Sequence, residues 1–419
     1  EQHLSSKSPQ QAALPIPMVL GFLTPSGELL RSASLPSQLL LTEQTTTVSF
    51  QLDTADQKQL AGRAPVPSLL RGFSAPVLLD YPYSVEQLQT LAQFDSDAFN
   101  RWDACQRLIM GHLLAKPTVE GQAVAKSLVS ILLDDQLSPG FKTQCWQLPS
   151  EAVVAEAWAQ QGCAIDPQAI RLKTMALSRV LAQAGQTALQ ALDASLDQAT
   201  SQSYSPDASS VGRRALGHLA QSLVNLLDDS DGRRAQLLAR YQTCNNMTAR
   251  MAHLSGLIAL GDGQGQYAQQ ALDDFAQRFA DNMLAMDKWF TVQITATRLS
   301  DPEGQNTTAI VETLLADPRY DIANPNRVRS VLGAFFAGNL AGFHQADGRG
   351  YQLWARELGR LDQRNGQLAA RLARSLDRWR AYEPGRKAGM QAAIAQLAGG
   401  DKRSADMTEV CERLLKEDR

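Results

Sequence analysis

The side chains able to do chemistry in this 419-residue chain are few and scattered. None of its five histidines (His3, His112, His218, His253, His344) precedes a glutamate. The HExxH zinc-hydrolase motif, two histidines one helical turn apart with a glutamate as base, therefore does not occur. The five cysteines (Cys105, Cys145, Cys163, Cys244, Cys411) lie far apart with no CxxC pair, which reads as reduced, mostly buried thiols. A Gly-Lys dipeptide is absent, and with it a phosphate-binding P-loop; a GxSxG nucleophile elbow is absent too. The run Gly261-Asp262-Gly263-Gln264-Gly265 lacks the third glycine of a dinucleotide fingerprint and follows no strand, so it reads as a flexible loop. Asp228-Asp229-Ser230-Asp231-Gly232 has the look of a calcium loop, but Leu227 and Leu238 fill its first and last ligand positions, leaving a solvated acidic turn.

Two polar clusters remain, both in the last third. In Asn324-Pro325-Asn326-Arg327-Val328-Arg329-Ser330, the asparagine caps a helix and proline suits its first position. Val328, Val331, Leu332 and Phe335 then bury one face, and Arg327 and Arg329 project elsewhere. The second cluster is Gln367 with Arg371, four apart and so on one helix face, which Arg374 and Arg378 extend. Such a stripe is either a solvated surface or a basic wall whose guanidinium forks recognise carboxylates.

Positioning these groups requires elements, and the chain supplies two kinds. Up to about residue 80 the pattern is β. Val48, Phe50 and Leu52 alternate with polar residues, Ala75–Leu79 is strand-like, and Thr24-Pro25-Ser26-Gly27 is a turn signal. Prolines 15, 17, 65, 67 and 76 suit edges and connections. The pattern changes at Ser84-Val85-Glu86-Gln87, a capping box followed by Leu88 and Leu91. Beyond it Ala, Leu, Gln and Arg dominate. Trp102, Cys105, Leu108 and Ile109 share one helical face, and Leu368, Leu372, Leu376 and Trp379 another. The expected architecture is mainly α: a small β-sandwich over residues 1–80, then a large irregular solenoid of helix pairs over 81–419. Apolar residues at 44%, charged residues at 20% and a net charge of -3 fit a globular chain and argue against nucleic acid as a partner. No apolar run is long enough for a membrane span, and the first residues show no n-region, h-region and cleavage site of a signal peptide.

Motifs in order along nearly the whole chain resemble the aminopeptidase N family of zinc metallopeptidases, in the branch typical of proteobacteria. They include Pro67–Val77, Phe99–Ala104, Asn245–Thr248, Met286–Phe290, Asn324–Ser330, Gly333-Ala334-Phe335, and Phe343-His344 with Asp347, Gly348 and Tyr351. Such enzymes have a β-rich N-terminal domain, a thermolysin-like zinc domain, a small β-sandwich and a helical C-terminal domain. The resemblance implies the last two parts only. The chain would then be non-catalytic and would cap the active-site cavity of a cytoplasmic, monomeric, peptide-catabolising parent whose zinc lies in the missing catalytic domain. No cofactor is expected here. The implied partners are the parent's own N-terminal and catalytic domains and short peptides. Gln367, Arg371 and Arg329 match family residues that face the substrate channel. Arg349, Leu340 and Ala249 depart from the family's usual Ser, Pro and acidic residue. The alternative is a stand-alone helical scaffold that binds a protein partner, which the fold class by itself would favour. The preferred N-terminal residue is not encoded in this half.

Overall fold

The computed structural model of the chain describes residues 14–199, 203–400 and 402–416. It forms two compact units, one running to Leu148 and the other from Pro149 onward, with Leu113–Ala115 belonging to the second.

In the first unit, β1 (Ile16–Leu23), β2 (Gln38–Leu41) and β3 (Val66–Leu69) make an antiparallel sheet in the order β2-β1-β3. β1 is central but is paired on one side at a time: Ile16–Val19 against β2, Leu20–Leu23 against β3. Pro17 is therefore tolerated in it, because its only ladder neighbour is Leu40 and a missing N–H costs little beside an open flank. The expected turn forms, with the Gly27 N–H donating to Thr24 O at 2.9 Å and Gly27 at φ +95°, a region that favours glycine. The strand expected over 48–52 does not join a ladder: Phe50 and Leu52 are half-buried, and Phe50 packs its ring on Phe22 at 5.0 Å. Ala75–Leu79 is also outside any strand, since Pro76 cannot donate and Leu78 is wholly exposed. A helix not expected from sequence, α1 (Thr54–Leu60), starts where Asp53 accepts from the Asp56 N–H. The buried Asp56 carboxylate in turn accepts from the Ser32 hydroxyl and N–H and from Arg31 N–H. The Ser32 hydroxyl bond, with those backbone donors, lowers its pKa against the cost of burial.

Helices follow: α2 (Val85–Phe94), α3 (Ala98–Leu113), α4 (Gly121–Leu133) and α5 (Pro139–Trp146). α2 opens on the expected capping box, with Ser84 and Gln87 each accepting from the other's backbone N–H. Cys105, Leu108 and Ile109 of α3 are fully buried.

The second unit is helical throughout the described residues. Its helices are α6 (Glu151–Gln160), α7 (Pro167–Ala184), α8 (Gln186–Ala199), α9 (Ala208–Val224), α10 (Asp231–Thr243), α11 (Met247–Leu260), α12 (Tyr267–Arg278) and α13 (Met283–Thr295). Then come α14 (Thr307–Leu315), α15 (Pro325–Val328), α16 (Ala334–Gly338), α17 (Leu340–Phe343), α18 (Arg349–Asp362), α19 (Gly366–Ala373), α20 (Pro384–Ala398) and α21 (Ala405–Leu415). α7, α9, α11 and α13 pack in succession, with α8, α10 and α12 laid against them, the pairwise arrangement of an irregular solenoid. Asp, Ser and Asn side chains cap many of the starts, including Ser150, Asp166, Asp207, Ser230, Asn246, Asn282 and Ser404. α17 returns to α7: Gln168 Nε2 donates to Ala341 O at 2.8 Å, and Arg171 Nη2 to Asn339 Oδ1 at 2.9 Å.

Candidate functional site

The first polar cluster folds as its sequence demands. Asn324 Oδ1 accepts from the N–H groups of Asn326 and Arg327, Pro325 opens α15, and Val328, Val331, Leu332 and Phe335 are fully buried. Residues Arg329–Gly333 wind as a π-helical turn, a distortion that frequently accompanies functional sites. The two arginines part company there. Arg327, expected on the outside, is buried: its Nε lies 3.2 Å from Asp287 and its guanidinium sits over the Phe290 ring at 4.6 Å. A guanidinium desolvated between a carboxylate and a ring face can be accommodated there. Arg329 is exposed, and its Nη1 donates to Asn326 Oδ1 at 3.1 Å.

The second cluster lies on α19. Gln367 and Arg371 stand on its exposed face, and Leu368, Ala369 and Ala373 are buried behind them. Neither Gln367 nor Arg371 has a hydrogen-bond or ion-pair partner among the described residues. The expected arginine stripe breaks, because α19 stops at Ala373 and two 3₁₀ turns, Arg374–Leu376 and Trp379–Ala381, replace its continuation. Leu376 and Trp379 stay buried because a 3₁₀ turn repeats every three residues. Arg374 pairs with Asp377 at 3.2 Å and Arg378 with Glu156, which leaves Arg371 as the member of the stripe without a carboxylate. Gly333 links the two clusters: a Cβ there would lie 3.7 Å from both the Arg329 Cβ and the Leu372 Cδ2. Gly333, one turn after Arg329, thus approaches Leu372 on the helix that carries Gln367 and Arg371.

The other recurring motifs turn out to be joints. Within the first unit, Ser68 donates to Asp95 at 2.5 Å, Asn100 Nδ2 donates to Ser68 at 2.8 Å, Arg71 pairs with Asp95 at 3.0 Å, and Gly72 N–H donates to Asp97. These bonds weld the loop after β3 to the start of α3. In the second unit His344 is 1% exposed, with Nδ1 3.1 Å from the Tyr351 hydroxyl and Nε2 3.1 Å from that of Tyr382. Arg386 Nε donates to the His344 carbonyl at 2.7 Å. Gly350 must lack a side chain, since a Cβ would fall 2.1 Å from Phe343 O. Arg349 pairs outward with Asp347 at 2.6 Å.

One polar group escaped the sequence reading. His218, Gln221 and Asn225 lie at i, i+3 and i+7 on α9 and its C-cap, with Gln221 and Asn225 almost wholly buried. The signal was a polar stripe at helical spacing on an otherwise apolar face. The glycine run after α11 is held down, with Arg234 donating to Gly261 O and Leu260 O and Asp262 accepting from Ala268 N–H. No group of three His, Cys, Asp or Glu side chains is arranged to hold a metal ion among the described residues. No described helix is long and apolar enough to cross a membrane.

A small sheet unit followed by stacked helix pairs defines a class, a β-sheet module joined to an ARM-like helical array. The chain belongs to the DUF3458 family, a domain of unknown function: its helical part, described as ARM repeats, matches residues 85–416, and its Ig-like part matches residues 1–82. The chain is 33% identical over 361 residues to aminopeptidase N of Escherichia coli (strain K12), covering 84% of the chain and 39% of that protein. Against aminopeptidase N of Caulobacter vibrioides the identity is 30% over 402 residues, covering 94% and 43%. Legionella pneumophila aminopeptidase A, solved in complex with aspartic acid, superposes with a TM-score of 0.77 at 25% identity, over 96% of this chain and 45% of that one. The chain thus spans about two fifths of the length of these relatives and is similar to their C-terminal region.

Proposed function

We propose that this chain is the non-catalytic C-terminal region of a zinc-dependent aminopeptidase, roofing the active-site cavity and contributing Arg329, Gln367 and Arg371 to the peptide channel. The observation that carries this reading is similarity that runs through 84–94% of the chain yet through only 39–43% of each aminopeptidase N. A further support is that Arg371 and Gln367 are exposed and unpartnered, while Arg374 and Arg378 are ion-paired. A peptide held by its N-terminus at the zinc would present its C-terminal carboxylate to these donors, where a charge-assisted bond is worth about 1.5–3 kcal/mol. The zinc, its ligands and the general base would lie in the parent's preceding part, and the boundary between sandwich and helices near residue 80. The parent would be a cytoplasmic monomer acting on short peptides.

On this reading the 419-residue chain alone holds no zinc and cleaves no aminoacyl anilide. It also associates in trans with the preceding part of its reading frame, because a domain cut from its neighbours exposes what was an interface. Gel filtration of the two pieces mixed at micromolar concentration should show co-elution and restored chelator-sensitive hydrolysis. Separate elution, or stoichiometric zinc in this chain by elemental analysis, would contradict the reading.

A further inference from the structure

A cleft of about 440 Å³ opens among α7, α9 and α11. It shares no lining residue with Arg329, Gln367 or Arg371. Its polar wall includes Asn225, Gln221, His218 and Ser255, with the Arg171–Glu151 pair beside them. Asn225 is 3% exposed, and its amide orientation is fixed because Oδ1 accepts from Arg233 Nε at 2.8 Å. Its Nδ2 therefore points away from Arg233 and has no partner. A buried donor without an acceptor is uncommon, because each carries a desolvation cost that folding does not recover. His218 Nε2 is a second buried polar atom with no partner.

Gly256 packs closely on the Asn225 and Gln221 amides. A Cβ there would lie 3.1 Å from Asn225 Nδ2 and 3.2 Å from Gln221 Nε2, so any side chain would plug the space in front of both amides. Gln221 is locked in turn: its Oε1 lies 2.6 Å from His253 Nδ1 and its Nε2 donates to Ala252 O at 3.2 Å, so it too turns N–H toward the cleft side of α11. Burial first, and then the Arg214 and Arg240 charges, lower the His218 pKa to about 4, so the ring is neutral and free to donate from Nε2. Glu151, the carboxylate on the wall, is neutralised by Arg171 Nε at 2.6 Å and Nη2 at 3.0 Å.

From the unpartnered Asn225 Nδ2 and His218 Nε2 of its wall, we infer that this cleft binds a small carboxylic acid. One carboxylate oxygen accepts from Asn225, and Gln221 and His218 flank it. A carboxylate suits the wall because Asn225 Nδ2 and His218 Nε2 are donors there without acceptors, and Arg214, beside His218, has no carboxylate partner among the described residues. The volume admits an acid of acylated amino-acid size and excludes a folded partner.

The test is calorimetric titration of the 419-residue chain with N-acetylglycine, and with N-acetylglycinamide as the uncharged control. Asn225→Asp keeps an oxygen for Arg233 while replacing the donor by a negative charge; Gly256→Ala fills the space. N-acetylglycine should bind, its amide at least about tenfold more weakly, and each substitution should weaken the acid at least about tenfold. Melting curves of Asn225→Asp verify that the fold is retained, so a failure of Gly256→Ala to fold leaves that variant to decide. No heat at about 10 mM acid, equal binding of acid and amide, or undiminished binding by Asn225→Asp would each overturn the assignment.

Discussion

Mild acid should destabilise the helical unit through His344 before its carboxylates titrate. The ring is 1% exposed, both its nitrogens are engaged by tyrosine hydroxyls, and the Arg386 guanidinium binds its own carbonyl. Burial first, and the Arg386 charge second, push its pKa down to about 3 from the ordinary 6.5. In the unfolded chain the imidazole takes up a proton as pH falls through 6.5, whereas in the folded chain it does not until pH nears about 3. The group's folded pKa is lowered, so stability is intact above 6.5 and is lost progressively below it, at about 1.4 kcal/mol per pH unit. At about pH 5 the loss is about 2 kcal/mol from this residue. His253, 3% exposed and pushed to about 3 mainly by burial, adds a similar amount. Carboxylates whose pKa is depressed, such as Asp56 and Asp193, surrender stability only below the ordinary carboxylate range, so the two windows separate. Urea midpoints for the intact chain and for His344→Asn between about pH 7 and pH 5 measure the effect. The variant should be less stable at neutral pH but should lose about 2 kcal/mol less on acidification. Identical pH slopes in the two proteins would refute the argument.

Substitutions at two other positions probe the frame. Asp193, 5% exposed, accepts from Arg233 at 2.7 and 2.8 Å and from Arg240 at 2.8 Å. Asp193→Ala strands buried guanidinium charge and should cost about 3–5 kcal/mol by chemical denaturation, while Asp193→Asn should cost less. Gly350→Ala drives a methyl against Phe343 O and should cost about 1–3 kcal/mol, read as a lower melting temperature; an unchanged melt would contradict the close approach.

Local chemistry was the most legible part of the sequence. The capping box at Ser84, the Asn-Pro start at Asn324 and the turn at Thr24 each depend on residues within a few positions of one another, and each forms as read. The β-to-helical order of the chain was equally plain, because the change of period is also local. Individual strands were harder. Val48–Leu52 alternates like a strand but finds no ladder partner, and pairing is a long-range property that alternation does not encode. Arg327 shows the same limit at the site. Its spacing placed it off the buried face, yet Asp287 and Phe290, far off in sequence, draw it inward. The motif Met286–Phe290 thus has a structural reason that a linear reading misses. The arginine stripe was overextended because periodicity continues on paper where α19 gives way to 3₁₀ turns after Ala373. The wall of His218, Gln221 and Asn225 was visible as helical spacing, but its meaning rests on Gly256 and Arg233, which only the packing brings to it.

The central claim, that Arg371 serves a peptide channel, is tested most directly by steady-state kinetics of the full reading frame carrying Arg371→Ala. The substrates are free tri- and tetrapeptides and, in parallel, aminoacyl anilides, which have no terminal carboxylate. The account calls for kcat/KM on the peptides to fall about ten- to a hundredfold, the equivalent of about 1.5–3 kcal/mol, with the anilides nearly unchanged. Equal effects on both substrate types, or none on either, would return Arg371 to the solvated surface, where its truncation costs almost nothing.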